Sequence, residues 1–199
     1  IFTYSLSILS KYYSLMLLPI VLAEIRKDGW LKLFTAAIIL LFTLLIFCFP
    51  FINNEWSMFE GLIIYGSQWE RNDSIFAVIK YLTGNRQMAI IIVFGLFTVI
   101  LGYVALVGEN IVKKILIILA AFFLLSPTQY PWYFISFLPF LTLYPNRALL
   151  LLSGLLSLYY LEFYFIYHQF NQAILLIRWF EYLPFYILLI YDMFIKCEK

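Results

Sequence analysis

Long apolar runs separated by short polar turns constrain this chain more than any other feature. Residues 34–51 and 88–107 are the clearest, since neither contains a charged side chain. A helix needs about 20 residues to cross the hydrocarbon core of a membrane, where backbone polar groups must be paired within the segment. The chain is 65% hydrophobic and 12% charged, whereas soluble domains are about one quarter charged. The sequence predicts an all-α, polytopic transmembrane helical bundle.

About seven segments are candidates for membrane spans. They are residues 1–22, 34–51, 88–107, 115–130, 132–144, 148–167 and 179–195. Ser10 and Lys11 interrupt the first near its middle, and residues 171–178 either extend the seventh or lie at the surface. We expect one transmembrane domain over residues 1–199. The chain begins at Ile1, which is already part of an apolar run, and no charged region of the kind that begins a signal peptide precedes this run. We therefore also expect the chain to be the C-terminal part of a longer protein.

The distribution of lysine and arginine predicts the orientation of the spans. Alternate turns carry eight of these residues, namely Arg26, Lys27, Lys32, Lys113, Lys114, Arg147, Lys196 and Lys199. The other turns carry four, namely Arg71, Lys80, Arg86 and Arg178. Cytoplasmic loops are the ones enriched in basic residues. We therefore expect an integral protein of the cytoplasmic (inner) membrane whose outer loop, residues 53–87, faces outward.

The outer loop carries its own helical signals. Residues 57–65 and 74–82 predict two short amphipathic helices on the outer membrane surface, the second capped by Asn72 or Asp73. The densest polar cluster of the chain, residues 67–73, lies between them. Four tryptophans are also expected at this face: Trp56, Trp69, Trp132 and Trp179. They form an aromatic belt at the headgroups, or some of them line a sugar- or lipid-binding cleft.

A second polar segment, residues 126–133 with the sequence SPTQYPWY, is expected at the same face. Its two prolines, Pro127 and Pro131, each remove a backbone donor and crowd the preceding turn, so one straight helix cannot include both. Irregular backbone in hydrocarbon survives only where protein or a water-filled cavity satisfies it. The segment is therefore an interfacial turn or part of the wall of a site.

Ionisable side chains at membrane depth are costly and are candidates for function. Lys11 lies within the first predicted span and either binds an anion such as phosphate or reaches the interface along its own stem. Glu162 lies in the sixth and is a base, a cation partner, an acceptor for sugar hydroxyls, or an acid reaching the outer interface. Two further pairs at helical spacing are expected to be ion pairs, Arg178 with Glu181 and Asp192 with Lys196.

Several classes of function lack a signal. No phosphate-binding loop, dinucleotide fingerprint or nucleophile elbow occurs, and no cofactor or metal site is indicated. Cys48 and Cys197 are expected at opposite membrane faces, which argues against a disulfide. A net charge of +2, without a basic patch, does not indicate a nucleic-acid partner.

Three segments in this order resemble the C-terminal half of the GT-C integral-membrane glycosyltransferases, on the side of those that use polyprenyl-phosphate mannose. They are residues 10–19 (SKYYSLMLLP), residues 69–76 (WERNDSIF) and residues 126–133 with the following Leu138-Pro139-Phe140. Tyr130 stands where many members of that family have histidine. The acidic catalytic base of the family has no counterpart in this sequence, which agrees with the expected truncation.

The resemblance implies a transferase that moves a sugar, expected to be mannose, from a polyprenyl-phosphate donor to a glycan, lipid or protein acceptor at the outer face. It implies that Lys11 and Arg71 stabilise the donor phosphate. It also implies a substrate cleft between the two polar segments, with these residues lining it: Trp69, Glu70, Asn72, Asp73, Thr128, Gln129, Tyr130, Trp132, Tyr133 and Glu162. Membrane lipid is the other expected partner.

Two other classes of protein fit the same composition. A transporter or lipid flippase favours internal repeats and paired broken helices near the midplane, whereas this sequence has one broken segment near the outer face and no repeat. A non-catalytic membrane subunit is the third alternative, because no catalytic base is evident in this chain.

Overall fold

The computed structural model describes residues 1–52 and 59–197, leaving aside the side chains of Ser67, Asn171 and residues 195–197. Within these ranges the chain forms helices and no strand. The α-helices are α1 (Phe2–Ser10), α2 (Leu18–Arg26), α3 (Trp30–Cys48), α4 (Glu60–Gln68), α5 (Ile75–Thr83), α6 (Arg86–Leu106), α7 (Ile111–Leu125), α8 (Pro131–Phe134), α9 (Leu138–Leu143), α10 (Arg147–Leu155), α11 (Tyr159–Tyr167) and α12 (Asn171–Cys197). The predicted all-α class is confirmed for this part of the chain.

Four helical segments are long and apolar enough to cross a membrane. They are Trp30–Phe51, Arg86–Leu106, Arg147–Tyr167 and Gln172–Phe194, and they correspond to the second, third, sixth and seventh predicted spans. The fifth is a shorter apolar helix, Pro131–Leu143, and α7 accounts for the fourth over 15 residues. The described helices support an integral membrane protein, and they do not confirm the count of seven spans.

The first predicted span is divided at Lys11. This residue has an extended backbone, with φ −146° and ψ 112°, between α1 and a 3₁₀ segment at Tyr12–Leu17. Pro19 lies in the first turn of α2. Its missing N–H loses no hydrogen bond there, because the N–H groups of the first turn have no partner within the helix. The interruption predicted at Ser10 and Lys11 is therefore a break in the helix, and residues 1–22 do not form one continuous helix.

The two short helices of the outer loop are present as α4 and α5, each shifted by one to three residues from the prediction. Residues 53–58, which include Trp56 and the predicted start of the first helix, lie outside the described residues. The predicted cap is wrong, because Ser74 precedes α5 and no side chain caps the helix. Gly84 ends α5 with φ +62°, a left-handed conformation that glycine adopts without steric cost.

The helices divide into two compact units. The first contains Ile1–Trp69 and Leu101–Ile118, where α1 and α2 pack against α3. The second contains Glu70–Ile100 and Leu119–Lys199, where α10 and α11 pack against α12. In the second unit, Phe76, Ala89, Val93 and Leu125 form one apolar core shared by α5, α6 and α7. This core places the residues just before α5 beside those just after α7.

Candidate functional site

The two predicted polar segments meet in the second unit through backbone hydrogen bonds. The Arg71 N–H donates to the Pro127 carbonyl at 3.0 Å, and the Gln129 N–H donates to the Arg71 carbonyl at 2.9 Å. The pair forms a parallel bridge of the kind found between strands, with Arg71 opposite Thr128. The bridge satisfies backbone groups that the break between α7 and α8 leaves without helical partners. It also fixes Arg71 against the proline bend.

Gln129 holds the bend together with its side chain. Its Nε2 donates to the carbonyls of Leu124 and Ser126, both at 3.0 Å, and its Oε1 accepts from Ser74 Oγ at 3.1 Å. Gln129 is fully buried, so every polar atom of its side chain needs a partner inside the protein. The side chain thereby replaces the helical hydrogen bonds that the α7 C-terminus has lost.

The segment from Asn72 to Ser74 lies against one face of α12. Tyr182 donates from its hydroxyl to the Asn72 carbonyl at 2.8 Å, and Arg178 donates from Nη1 to Asp73 Oδ1 at 2.9 Å. Tyr186 Oη lies 3.0 Å from Ser74 Oγ. Asn72 has φ +52°, a left-handed conformation that asparagine tolerates better than most residues. Three successive residues are thus each held by a side chain from α12.

The partner of Arg178 differs from the prediction. Arg178 pairs with Asp73, which is almost fully buried, and the expected pair of Arg178 with Glu181 does not form. Burial raises the pKa of the Asp73 carboxyl above its usual range, and the Arg178 guanidinium opposes that rise. Asp192 pairs with Arg147 at 3.4 Å, while the side chain of Lys196, its predicted partner, lies outside the described residues.

Glu162 faces Arg71. Its carboxylate Oε1 lies 3.7 Å from Arg71 Nη1, and the two side chains are 6% and 53% exposed, respectively. The alternative of a cation partner is therefore confirmed for Glu162, while the alternative of an acid reaching the outer interface stays a prediction. At 3.7 Å the contact is longer than a hydrogen bond, so the guanidinium keeps donors available for a second anion.

Aromatic side chains lie near this ion pair, since Tyr130 and Tyr159 are close enough to feel the charges of both Arg71 and Glu162. The rings of Tyr130 and Trp132 stack with centroids 4.3 Å apart, and Tyr159 meets the Tyr130 ring edge-on at 5.7 Å. Tyr133 also lies beside Tyr130, with centroids 5.8 Å apart. Tyr130 and Tyr159 are buried whereas Trp132 remains exposed. Trp132 therefore presents an aromatic surface at the edge of the site.

Three predicted site residues have contacts with other groups. Glu70 pairs with Lys80 and with Arg86, the latter at 3.4 Å. Trp69 follows α4 in the first unit, with its ring 5.6 Å from that of Tyr65. Lys11, also in the first unit, has its Nζ 5.8 Å from the centre of the Tyr13 ring. The predicted pairing of Lys11 with Arg71 on one phosphate thus stays a prediction.

The buried polar residues of the second unit form one group, which we call the polar junction. Its members are Asn72, Asp73, Ser74, Thr128, Gln129, Glu162 and Glu181. The sequence predicted five of them as site residues, and it missed Ser74 and Glu181. The signal for Glu181 was the polar stripe of Arg178, Glu181 and Tyr182 on one face of an otherwise apolar helix, because such a stripe in a span indicates internal contacts.

A surface depression with a volume of 690 Å³ lies elsewhere in the second unit. It is lined by Phe165, Gln169, Phe170, Gln172, Ala173 and Leu176. None of the predicted cleft residues contributes to it. The predicted cleft between the polar segments therefore stays a prediction, although the segments themselves are in contact.

We expect Gln129→Ala to lower the free energy of unfolding by about 2–4 kcal/mol, because it leaves buried carbonyls unpaired and opens a small cavity. Thermal unfolding of the protein in nanodiscs measures the change. Gln172→Ala is the matched control, since its side chain is exposed and such substitutions change stability by about 0.5 kcal/mol or less. Equal effects of the two substitutions would contradict a structural role for the Gln129 amide.

Comparisons with models of protein families, with curated proteins and with solved structures found no match for this chain.

Proposed function

We propose that this chain is part of a membrane glycosyltransferase that takes a sugar from a polyprenyl-phosphate donor. The observation that carries the proposal is the half-exposed Arg71 guanidinium, held by the backbone bridge next to the buried Glu162 carboxylate. A guanidinium on a fixed backbone suits a phosphate, whose oxygens accept its parallel donors. The exposed ring of Trp132 borders the same place and offers a surface for the sugar.

In this proposal the chain crosses the cytoplasmic membrane about seven times, and the polar junction lies toward the outer face. The acceptor hydroxyl attacks the anomeric carbon of the sugar, and the bond from that carbon to the phosphate oxygen breaks. A carboxylate base takes the hydroxyl proton. Arg71 stabilises the negative charge of the departing polyprenyl phosphate. The resemblance of residues 10–19, 69–76 and 126–133 to the GT-C family supports mannose as the sugar.

Donor binding tests the proposal. We expect the protein in nanodiscs to bind polyprenyl-phosphate mannose, and Arg71→Ala to weaken that binding at least about tenfold, which corresponds to 1.4 kcal/mol. Arg147→Ala is the matched control, because Arg147 also pairs with a carboxylate of the second unit but is expected at the other membrane face. If the folded protein binds no such donor, or if both substitutions act equally, the proposal fails.

A transporter or lipid flippase is the second candidate. Glu162 and Glu181 favour it, because both are buried acids on segments long enough to span a membrane, and such acids mark ion pathways in transporters. Uptake of a labelled polyprenyl phosphate into proteoliposomes separates the two functions. Movement of lipid across the bilayer without sugar transfer would favour the transporter.

A further inference from the structure

Glu181 is a member of the polar junction whose two carboxylate oxygens are both buried and lack a hydrogen-bonding partner among the described residues. It is 0% exposed, and neither carboxylate oxygen has a hydrogen bond of normal geometry to this part of the chain. The Asn72 side chain and the backbone of Tyr159 approach the carboxyl without completing such a bond. Buried carboxylates are almost always paired or hydrogen-bonded, so this group needs an explanation.

The neighbouring cations are already matched to other acids. Arg178 pairs with Asp73 at 2.9 Å, and Arg71 lies 3.7 Å from Glu162. The polar junction and its two arginines therefore contain three carboxyl groups and two guanidinium groups. An ionised Glu181 adds an unmatched negative charge near Glu162, which is costly in a buried site. A bound proton removes that charge.

The position of Glu181 on α12 connects this proton to the loop that carries Arg71. Arg178, Glu181 and Tyr182 lie within one broad face of the helix, since residues three and four apart are neighbours there. Arg178 and Tyr182 hold Asp73 and Asn72, and Glu181 lies near the Asn72 side chain and near Glu162. A negative charge at Glu181 would repel Glu162 and would require solvation at the place where the loop meets α12.

We infer that Glu181 is a proton-binding site, and that its bound proton keeps residues 72–74 seated against α12. When the proton leaves, the buried charge requires water, so the loop that meets Glu181 at Asn72 separates from the helix, and Arg71 loses its fixed position beside the proline bend. The groups near Glu181 are Glu162 and Tyr159 from α11, Asn72 from the loop, and Arg178 and Tyr182 from its own helix. Asp73 of the loop lies beside Arg178 and Tyr182.

Hydrogen exchange tests the inference without any donor. The Arg71 and Gln129 amides are hydrogen-bonded in the bridge, so peptides covering residues 70–74 and 126–130 report on a seated loop. Opening exposes Glu181 to water, where a carboxyl ionises, so opening releases a proton and is favoured as the pH rises. After correction for the intrinsic exchange rate, we expect the protection factors of these amides to fall by up to about tenfold for each unit that the pH rises.

The variant Glu181→Gln keeps a neutral side chain of the same shape at every pH. We expect its protection to be independent of pH, whereas Tyr182→Phe, which removes one contact to the loop, should lower protection and keep the native pH dependence. Residues 75–83 in α5 provide the internal reference. A native pH dependence in Glu181→Gln, or none in the native protein, overturns the inference.

Two further measurements decide between a proton and a metal ion at Glu181, and test the inference if the variant does not fold. If protection at fixed pH depends on sodium and not on choline, and Glu181→Gln abolishes that dependence, the occupant is a metal ion and the proton site is wrong. If Glu181→Gln does not fold, infrared spectroscopy of the native protein decides. A carbonyl band of a buried carboxylic acid at neutral pH, lost as the loop opens, supports the inference, and its absence overturns it.

Discussion

Arg178→Ala is expected to lower the free energy of unfolding by about 3 kcal/mol, because removing one partner of a buried ion pair leaves the other charge uncompensated. The remaining carboxylate, Asp73, is 3% exposed, whereas the Arg178 side chain is 29% exposed. The partial exposure of the arginine places the expected loss at the lower end of the range for buried pairs. Thermal and denaturant unfolding in nanodiscs measure it.

Two comparisons isolate the uncompensated charge as the cause. Asp73→Asn in the Arg178→Ala background removes that charge with little change of shape, so the double variant should be more stable than Arg178→Ala alone. Arg147→Ala breaks an exposed pair with Asp192 and should cost about 1 kcal/mol or less. A double variant no more stable than Arg178→Ala would show that the loss comes from packing of the arginine stem.

The loss of stability caused by Arg178→Ala should also depend on pH. Burial already raises the pKa of Asp73, and removing the arginine removes the largest of the effects that oppose this rise. A carboxyl with a raised pKa in the folded state binds its proton more tightly there than in the unfolded chain. The deficit of Arg178→Ala is therefore smallest below the ordinary pKa of an aspartate, about 4. It grows as the pH rises through the folded-state pKa of Asp73.

The helices that the sequence predicted best are those whose formation depends on local composition. Residues 34–51 and 88–107 are apolar and uncharged over a full span length, so no tertiary contact is needed to identify them. In the first span, the polar residues Ser10 and Lys11 marked an interruption, but hydropathy did not predict that the chain leaves helical geometry at Lys11. Hydropathy measures the solvent that a segment prefers, and it does not measure the local backbone conformation.

The polar junction was predictable only in part. The sequence assigned residues 67–73 and 126–133 to one face, but the bridge between Arg71 and Thr128 depends on a register that no local pattern encodes. The spacing of Arg178 and Glu181 suggested an ion pair, because residues three apart are neighbours on a helix. The structure instead brings Asp73 to Arg178 from 105 residues away, and Glu181 is buried as a result.

Glu162→Gln is expected to strengthen binding of polyprenyl-phosphate mannose by about tenfold, the opposite of Arg71→Ala. In the proposed site the donor phosphate and the Glu162 carboxylate share one guanidinium, and the carboxylate lies 3.7 Å from it. Neutralising the carboxylate removes a competing negative charge and leaves the Arg71 donors to the phosphate. Titration of the protein in nanodiscs with the donor measures the change, about 1.4 kcal/mol for a factor of ten.

The direction of this change distinguishes two roles for Glu162. If Glu162 competes with phosphate for Arg71, the double variant Glu162→Gln, Arg71→Ala should bind as weakly as Arg71→Ala alone, because the cation for which both anions compete is gone. If Glu162 instead orients Arg71 for the phosphate, Glu162→Gln should weaken binding as Arg71→Ala does. Asp192→Asn, which frees Arg147 from its carboxylate in the same unit, is the control and should leave donor affinity unchanged. A tighter complex in Asp192→Asn would mean that the effect reflects net charge and not the site at Arg71.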